Sequence, residues 1–197
     1  NSYQFQQVTK GVEQGLGDLS KKLTDFGKKM SLAVTTPLAA IGAVALKNAD
    51  IQARAEAKVR QAILQTGGAA KLTFEELTSY ASELQGRSIF GDEQILNDVT
   101  GKLLTFTNIA GTNFKKAQQA ALDMATVLDQ DVKGIVTQLG KALNDPIKNL
   151  SALSRLGIQF SKDHEAVIRK FAETNQLTEA QAIILDTLAS RYGGQAE

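Results

Sequence analysis

An all-α fold follows from three features of the 197-residue sequence: its composition, its hydrophobic spacing and its punctuation. Ala, Leu, Lys, Gln and Glu are abundant, Trp is absent and there are two Pro, a balance that favours helix over sheet. Apolar residues recur in steps of four and three and do not alternate, which is the spacing of a helix face. Capping residues and glycines close these stretches at helix-length intervals. Together they predict a multi-helix bundle of roughly eight or nine helices with a heptad-patterned N-terminal helix. The 43% apolar content is enough for a core. The expected organisation is a heptad helix and linker over 1–36 and a helical module over 37–197, with a candidate division near 108–113.

The N-terminal segment places Phe5, Thr9, Val12, Leu16, Leu19, Leu23, Phe26 and Met30 on one seam. Gly11, Gly15, Gly17 and Gly27 lie inside it, each costing about 1 kcal/mol against Ala, so the helix needs a partner surface. Phe5, Val12, Leu16, Leu19, Leu23, Phe26 and Met30 are therefore the candidate self-association residues. An uncharged stretch follows between Lys29 and Lys47, with Leu32, Val34, Leu38, Ile41, Val44 and Leu46 as candidate membrane or packing residues. It is at the short limit for a span and carries Thr35, Thr36 and Pro37.

Pro37 suits a first helical turn and starts a helix expected to reach about Gln65, where Gly67 and Gly68 stop it. Thr73 and Glu76 form a capping box before a helix ending at Gly86, with Leu77, Tyr80, Ala81 and Leu84 on one face. Asp92 is the expected cap of the next helix, whose stripe is Leu96, Val99, Leu103 and Phe106. Phe114, Ala117, Ala121, Met124 and Leu128 form another stripe; after Asp131 so do Val132, Ile135, Leu139 and Ala142. Asp145 and Pro146 read as cap and first-turn residue of a helix toward Arg155, closed by Gly157. Ser161 and Thr178 are expected caps of two last helices, carrying Val167, Ile168 and Phe171, then Ile183, Ile184 and Leu188.

Chemistry is hard to place on this chain. No cysteine is present, and the one histidine, His164, sits beside Asp163 and Glu165 in an expected first turn, with no metal partner at helical spacing. Gly86 to Gly91 resembles a phosphate loop only until Asp92 and Glu93, which stand where a lysine and a hydroxyl are needed. The Glu75–Glu76 and Asp92–Glu93 pairs lie at helix starts, where they complement the dipole. The expectation is no catalytic, cofactor-binding or metal site and no cofactor. With 22 basic and 21 acidic residues and no block of either sign, no specific nucleic-acid site is expected.

Two blocks carry a family resemblance. The first runs from about Lys21 to Ile109 and includes ELTSYASELQ and FGDEQILNDVTGKLLTFTNI; the second, from about Leu139 to Ala196, contains ALNDP, SRLGIQF, LTEAQAIILDTL and GGQA in that order. The chain resembles part of a tail length tape measure protein of bacteriophages and prophages. That resemblance implies a structural virion protein of the tail tube lumen, made in the host cytoplasm, that sets tail length during assembly and takes part in genome ejection. Implied partners are other tape measure copies, tail tube subunits, tail assembly chaperones and tail tip proteins, with the host membrane met during infection. Members of that family are much longer. One continuous helix of 197 residues would reach at most about 300 Å, but the glycine and proline stops divide it, so a bundled module within the ruler is expected. The chain begins at Asn1 and not at Met, the pattern of a fragment.

The alternative is a membrane-active helical protein inserting through residues 30–46, and a third reading, a wall hydrolase, lacks its motifs. The seam yields the first test. Sedimentation of the intact chain across a concentration series should show weak association that disappears when residues 1–30 are removed; two monomeric species throughout would mean that the seam packs within its own chain.

Overall fold

A computed structural model describes residues 47–197, together with Lys21 and Thr24. A boundary between Asp50 and Ile51 separates two units of the chain, of which the second is Ile51–Glu197. Among the described residues the secondary structure is helical, without strands, as the sequence spacing requires.

Helical residues 51–65 open this unit as α1, burying Ala55 and Val59 four apart on one face. Its end is the expected double-glycine stop: Gly67 and Gly68 both take positive φ, and the Gly68 N–H returns 3.0 Å to the Ile63 carbonyl. Helix α2, Phe74–Gly86, begins with the expected capping box. The Glu76 N–H donates to Thr73 Oγ1 at 3.1 Å, and the Thr73 N–H donates to Glu76 Oε2 at 2.7 Å. Arg60 of α1 stacks over the Phe74 ring, 3.4 Å from its centroid, tying the two helices at the surface.

The next helical run departs from the expected regular helix. It comprises α3, Asp92–Gln94, a π-helical segment π1, Ile95–Thr100, and α4, Gly101–Leu103. The N-cap is Gly91, not Asp92, which instead accepts the Glu93 N–H from within the first turn. The wider turn of π1 brings Ile95, Leu96, Val99 and Thr100 all into the interior, more than a narrow four-three stripe can bury. Phe106 lies beyond the end of α4, so it belongs to a turn and not to the helix stripe that includes Leu96, Val99 and Leu103.

Helices α5, Gly111–Leu128, and α6, Val132–Asn144, pack on each other and carry much of the core. Phe114, Ala121, Met124, Ile135, Leu139 and Leu143 are fully buried. Asp131 caps α6 as expected, through its carboxylate on the Gly134 N–H. The expected helix from Asp145 to Arg155 is two short helices, α7, Pro146–Asn149, and α8, Ser151–Ser154, meeting at Leu150. Gly157 has φ of 78°, and the Ile158 N–H bonds back to the Leu153 carbonyl, turning the chain so that Ile158 is buried.

The last two helices are α9, Lys162–Glu173, and α10, Leu177–Tyr192. Ser161 caps α9 as expected, but α10 starts from Gln176, which leaves Thr178 inside its first turn. On α9 the core contact is Ile168, whereas Val167 is 43% exposed. Helix α10 lies against both α9 and α5, so the C-terminal pair is part of the same core.

One close approach depends on a missing side chain. A Cβ on Gly140 would overlap Cε2 and Cδ2 of the Phe106 ring, which packs against the α6 backbone at this point. Gly140→Ala should therefore lower the stability of the chain by about 1–3 kcal/mol in chemical denaturation, and Phe106→Leu in the same chain should recover part of the loss. Unchanged unfolding of the single variant would show that the ring has room to move.

Candidate functional site

The self-association residues Phe5, Val12, Leu16, Leu19, Leu23, Phe26 and Met30, and the membrane or packing residues Leu32, Val34, Leu38, Ile41, Val44 and Leu46, lie outside the described residues. Among those described, no helix is long and apolar enough to cross a membrane. Neither is there a group of three or more metal-ligating side chains among them. His164 is exposed, and its backbone N–H donates to the Ser161 hydroxyl, so its place in the fold is in the cap of α9.

Polar groups do converge inside the module. Gln181 on α10 is 2% exposed, and its amide nitrogen donates to the Asn108 carbonyl at 2.8 Å and to the Leu143 carbonyl at 3.0 Å. Its amide oxygen accepts from Asn113 Nδ2 of α5 at 3.2 Å, and the same nitrogen donates to the Thr178 carbonyl at 2.9 Å. One carboxamide therefore joins α10, the start of α5, the end of α6 and the loop before α5. Asn144 fastens that loop from the other side: its side-chain oxygen accepts the Asn108 N–H at 3.1 Å, and its carbonyl accepts Asn108 Nδ2 at 2.9 Å. Burying unpartnered amides is costly, so the satisfied set specifies one arrangement of these four elements.

A second polar contact holds the closing segment. Asp123 of α5 is 2% exposed; one carboxylate oxygen accepts the Ala196 N–H at 2.9 Å and the other accepts Gln119 Nε2 at 3.2 Å. Gly194, with φ of 76°, turns the chain after α10 so that Ala196 is buried against this carboxylate. Glu197 then reaches Arg87 at 3.4 Å, and Lys116 of α5 pairs with Asp186 of α10 at 2.8 Å. Both pairs are well exposed and contribute at most about 1 kcal/mol each. Tyr80 faces the same region. Burial pushes its phenol above the ordinary tyrosine range, Arg87 works against that shift, and Glu83 and Asp123 add to it.

The resemblance motifs thus acquire structural meanings. In ALNDP, Asn144 anchors the loop, while Asp145 caps α7 by accepting the Lys148 N–H and Pro146 fills its first position. In SRLGIQF, Gly157 turns Ile158 inward; in GGQA, Gly194 and Ala196 dock the chain on Asp123. Gln181, Asn113 and Asp123 were missed in the sequence. Their legible signal was register: Gln181 precedes Ile184 by three and Leu188 by seven, placing an amide on an apolar face.

The family described as prophage tail length tape measure protein matches residues 3–160. The chain belongs to that family. It is a structural family of the phage tail, concerned with tail length determination, and not a family of enzymes. No curated protein and no solved structure matches the chain. The matched span ends at Phe160, one residue before the cap of α9, yet the tape measure module continues physically through α10 and Ala196.

Gln181 offers a direct test of that continuity. Gln181→Leu keeps the approximate volume but leaves the Asn108 and Leu143 carbonyls without this donor, and should cost about 3 kcal/mol. Lys116→Ala, which removes only an exposed pair, should cost about 1 kcal/mol or less by the same denaturation measurement. Equal losses would contradict the central role given to the carboxamide.

Proposed function

We propose that this chain is a bundled docking body of a tape measure protein, acting without enzymatic chemistry in tail assembly and tail length determination and in genome delivery. The observation that carries the reading is the family match over residues 3–160. Its place is the tail tube lumen of the virion after assembly in the host cytoplasm. Its partners are other tape measure copies, tail tube subunits, tail assembly chaperones and tail tip proteins, with the host membrane reached during infection.

The shape of the elements supports a body instead of a graduated rod. The 18 residues of α5 extend about 27 Å, and the chain then turns through Asp129 at φ of 49° and doubles back into α6. A ruler that sets a distance needs length proportional to residue number. A folded-back bundle does not have it. What the bundle has is an arrangement fixed by the hydrogen-bonded Gln181 and Asn113 amides, which suits a fixed attachment point.

The distinguishing experiment removes residues 51–197 in frame from the complete tape measure protein in the phage and measures tails by electron microscopy. The expected result is missing or aberrant tails. Normal tails shortened in proportion to the deleted residues would assign the module to the graduated part of the ruler, and tails of unchanged number and length would remove it from assembly altogether.

A further inference from the structure

The outer side of π1 forms the floor of a groove with α1 on one side and α6 on the other. Two clefts, of about 450 Å³ and about 400 Å³, adjoin there and share Lys58, Asn97 and Asp98. The Lys58 side chain crosses between them. Its Cε and Cδ lie 3.8 and 3.9 Å from the position a Cβ on Gly101 would take, and its ammonium donates to Asn97 Oδ1 at 2.8 Å. The lysine stem therefore runs along the helix surface at Gly101, at ordinary van der Waals distance.

The charges around the second cleft do not balance. Lys58, Lys102 and Lys133 line it, against Asp98 as the lining acid. Asp98 is already engaged, by Lys133 at 3.2 Å and by the Asn97 amide. Lys58 bonds to a neutral amide and its backbone carbonyl, and the Lys102 ammonium has no hydrogen-bond or ion-pair partner among the described residues. Both lysines are exposed. Two uncompensated ammonium groups therefore face one groove, with the Thr105 and Thr137 side chains beside them.

We propose that this groove along π1 is a docking surface for an acidic peptide segment of a partner protein, whose carboxylates are held by Lys58 and Lys102. The charge complementarity favours carboxylates at short spacing over a polyphosphate backbone, because Lys58 and Lys102 share one cleft, whereas the lining of the adjoining cleft carries an acid, Glu93, as well as Arg54. The first cleft, lined by Arg54 and Glu93 as well as the exposed Ile51, receives the less acidic part of the segment. The surface goes beyond the structural reading of the chain and stands on its own geometry. It is tested without a phage.

The experiment titrates the full chain into a fluorescently labelled oligoglutamate peptide at low salt and follows anisotropy, with oligolysine and a short DNA duplex as comparison probes. Oligoglutamate should bind, with salt-sensitive affinity, and Lys58→Gln and Lys102→Gln should each weaken binding by about threefold. Lys102→Glu should weaken it further, while Lys148→Gln, on α7 and paired with Asp145, should leave it unchanged. Circular dichroism of each variant verifies that the exposed substitutions leave the helices intact. Absence of oligoglutamate binding, or equal affinity for parent and Lys102→Glu, overturns the proposal. Preferential binding of the duplex, lost in the same two lysine variants, overturns it in favour of a nucleic-acid surface.

Discussion

A carboxamide shut away from water has to find its hydrogen bonds within the protein, and the arrangement around Gln181 is organised by that requirement. Its donors are directed to carbonyls 73 and 38 residues earlier in the chain, and its oxygen meets an amide 68 residues earlier. Apolar faces tolerate sliding by a fraction of a turn, since one methyl group replaces another at small cost. Hydrogen bonds do not. The register of α10 on α5, the end point of α6 and the path of the loop through Asn108 are consequently fixed together.

That coupling ties the part of the module that carries the family match to residues beyond it. Residues after Phe160 supply α9, α10 and the closing Ala196, and the core that begins at Ala55 includes Ile168, Ile184, Leu188 and Ala196. Without α10, the Asn108 and Leu143 carbonyls and the Asn113 amide would lose buried partners at once. The cost would fall on α5 and α6, which lie inside the matched span.

The motifs that carry the family resemblance are, in this chain, devices of backbone geometry. Asn144 holds a loop, Asp145 and Pro146 start a helix, and Gly140 makes room for an aromatic ring. Gly157 and Gly194 adopt backbone angles that other residues reach only with strain. None of these tasks requires a reactive group. They fit a member of a structural family of the phage tail. On the surface, a groove runs beside π1, with the Lys58 side chain lying along the helix at Gly101.

The sequence by itself determined the helices and most of their ends. The capping box at Thr73, the Asp131 and Ser161 caps, the Gly67–Gly68 stop and the stripes of α5 and α6 were all legible, because each depends on residues three or four apart. What only the tertiary structure decided came from residues far apart in the chain. The wide turn of π1, the selection of Ile168 over Val167 as the buried contact of α9, and the break between α7 and α8 answer to neighbouring helices and leave no local mark. The same holds for Gln181, Asn113 and Asp123. A polar residue on a helix face reads as solvated until the partners that satisfy it are brought together, and those partners lie on other helices.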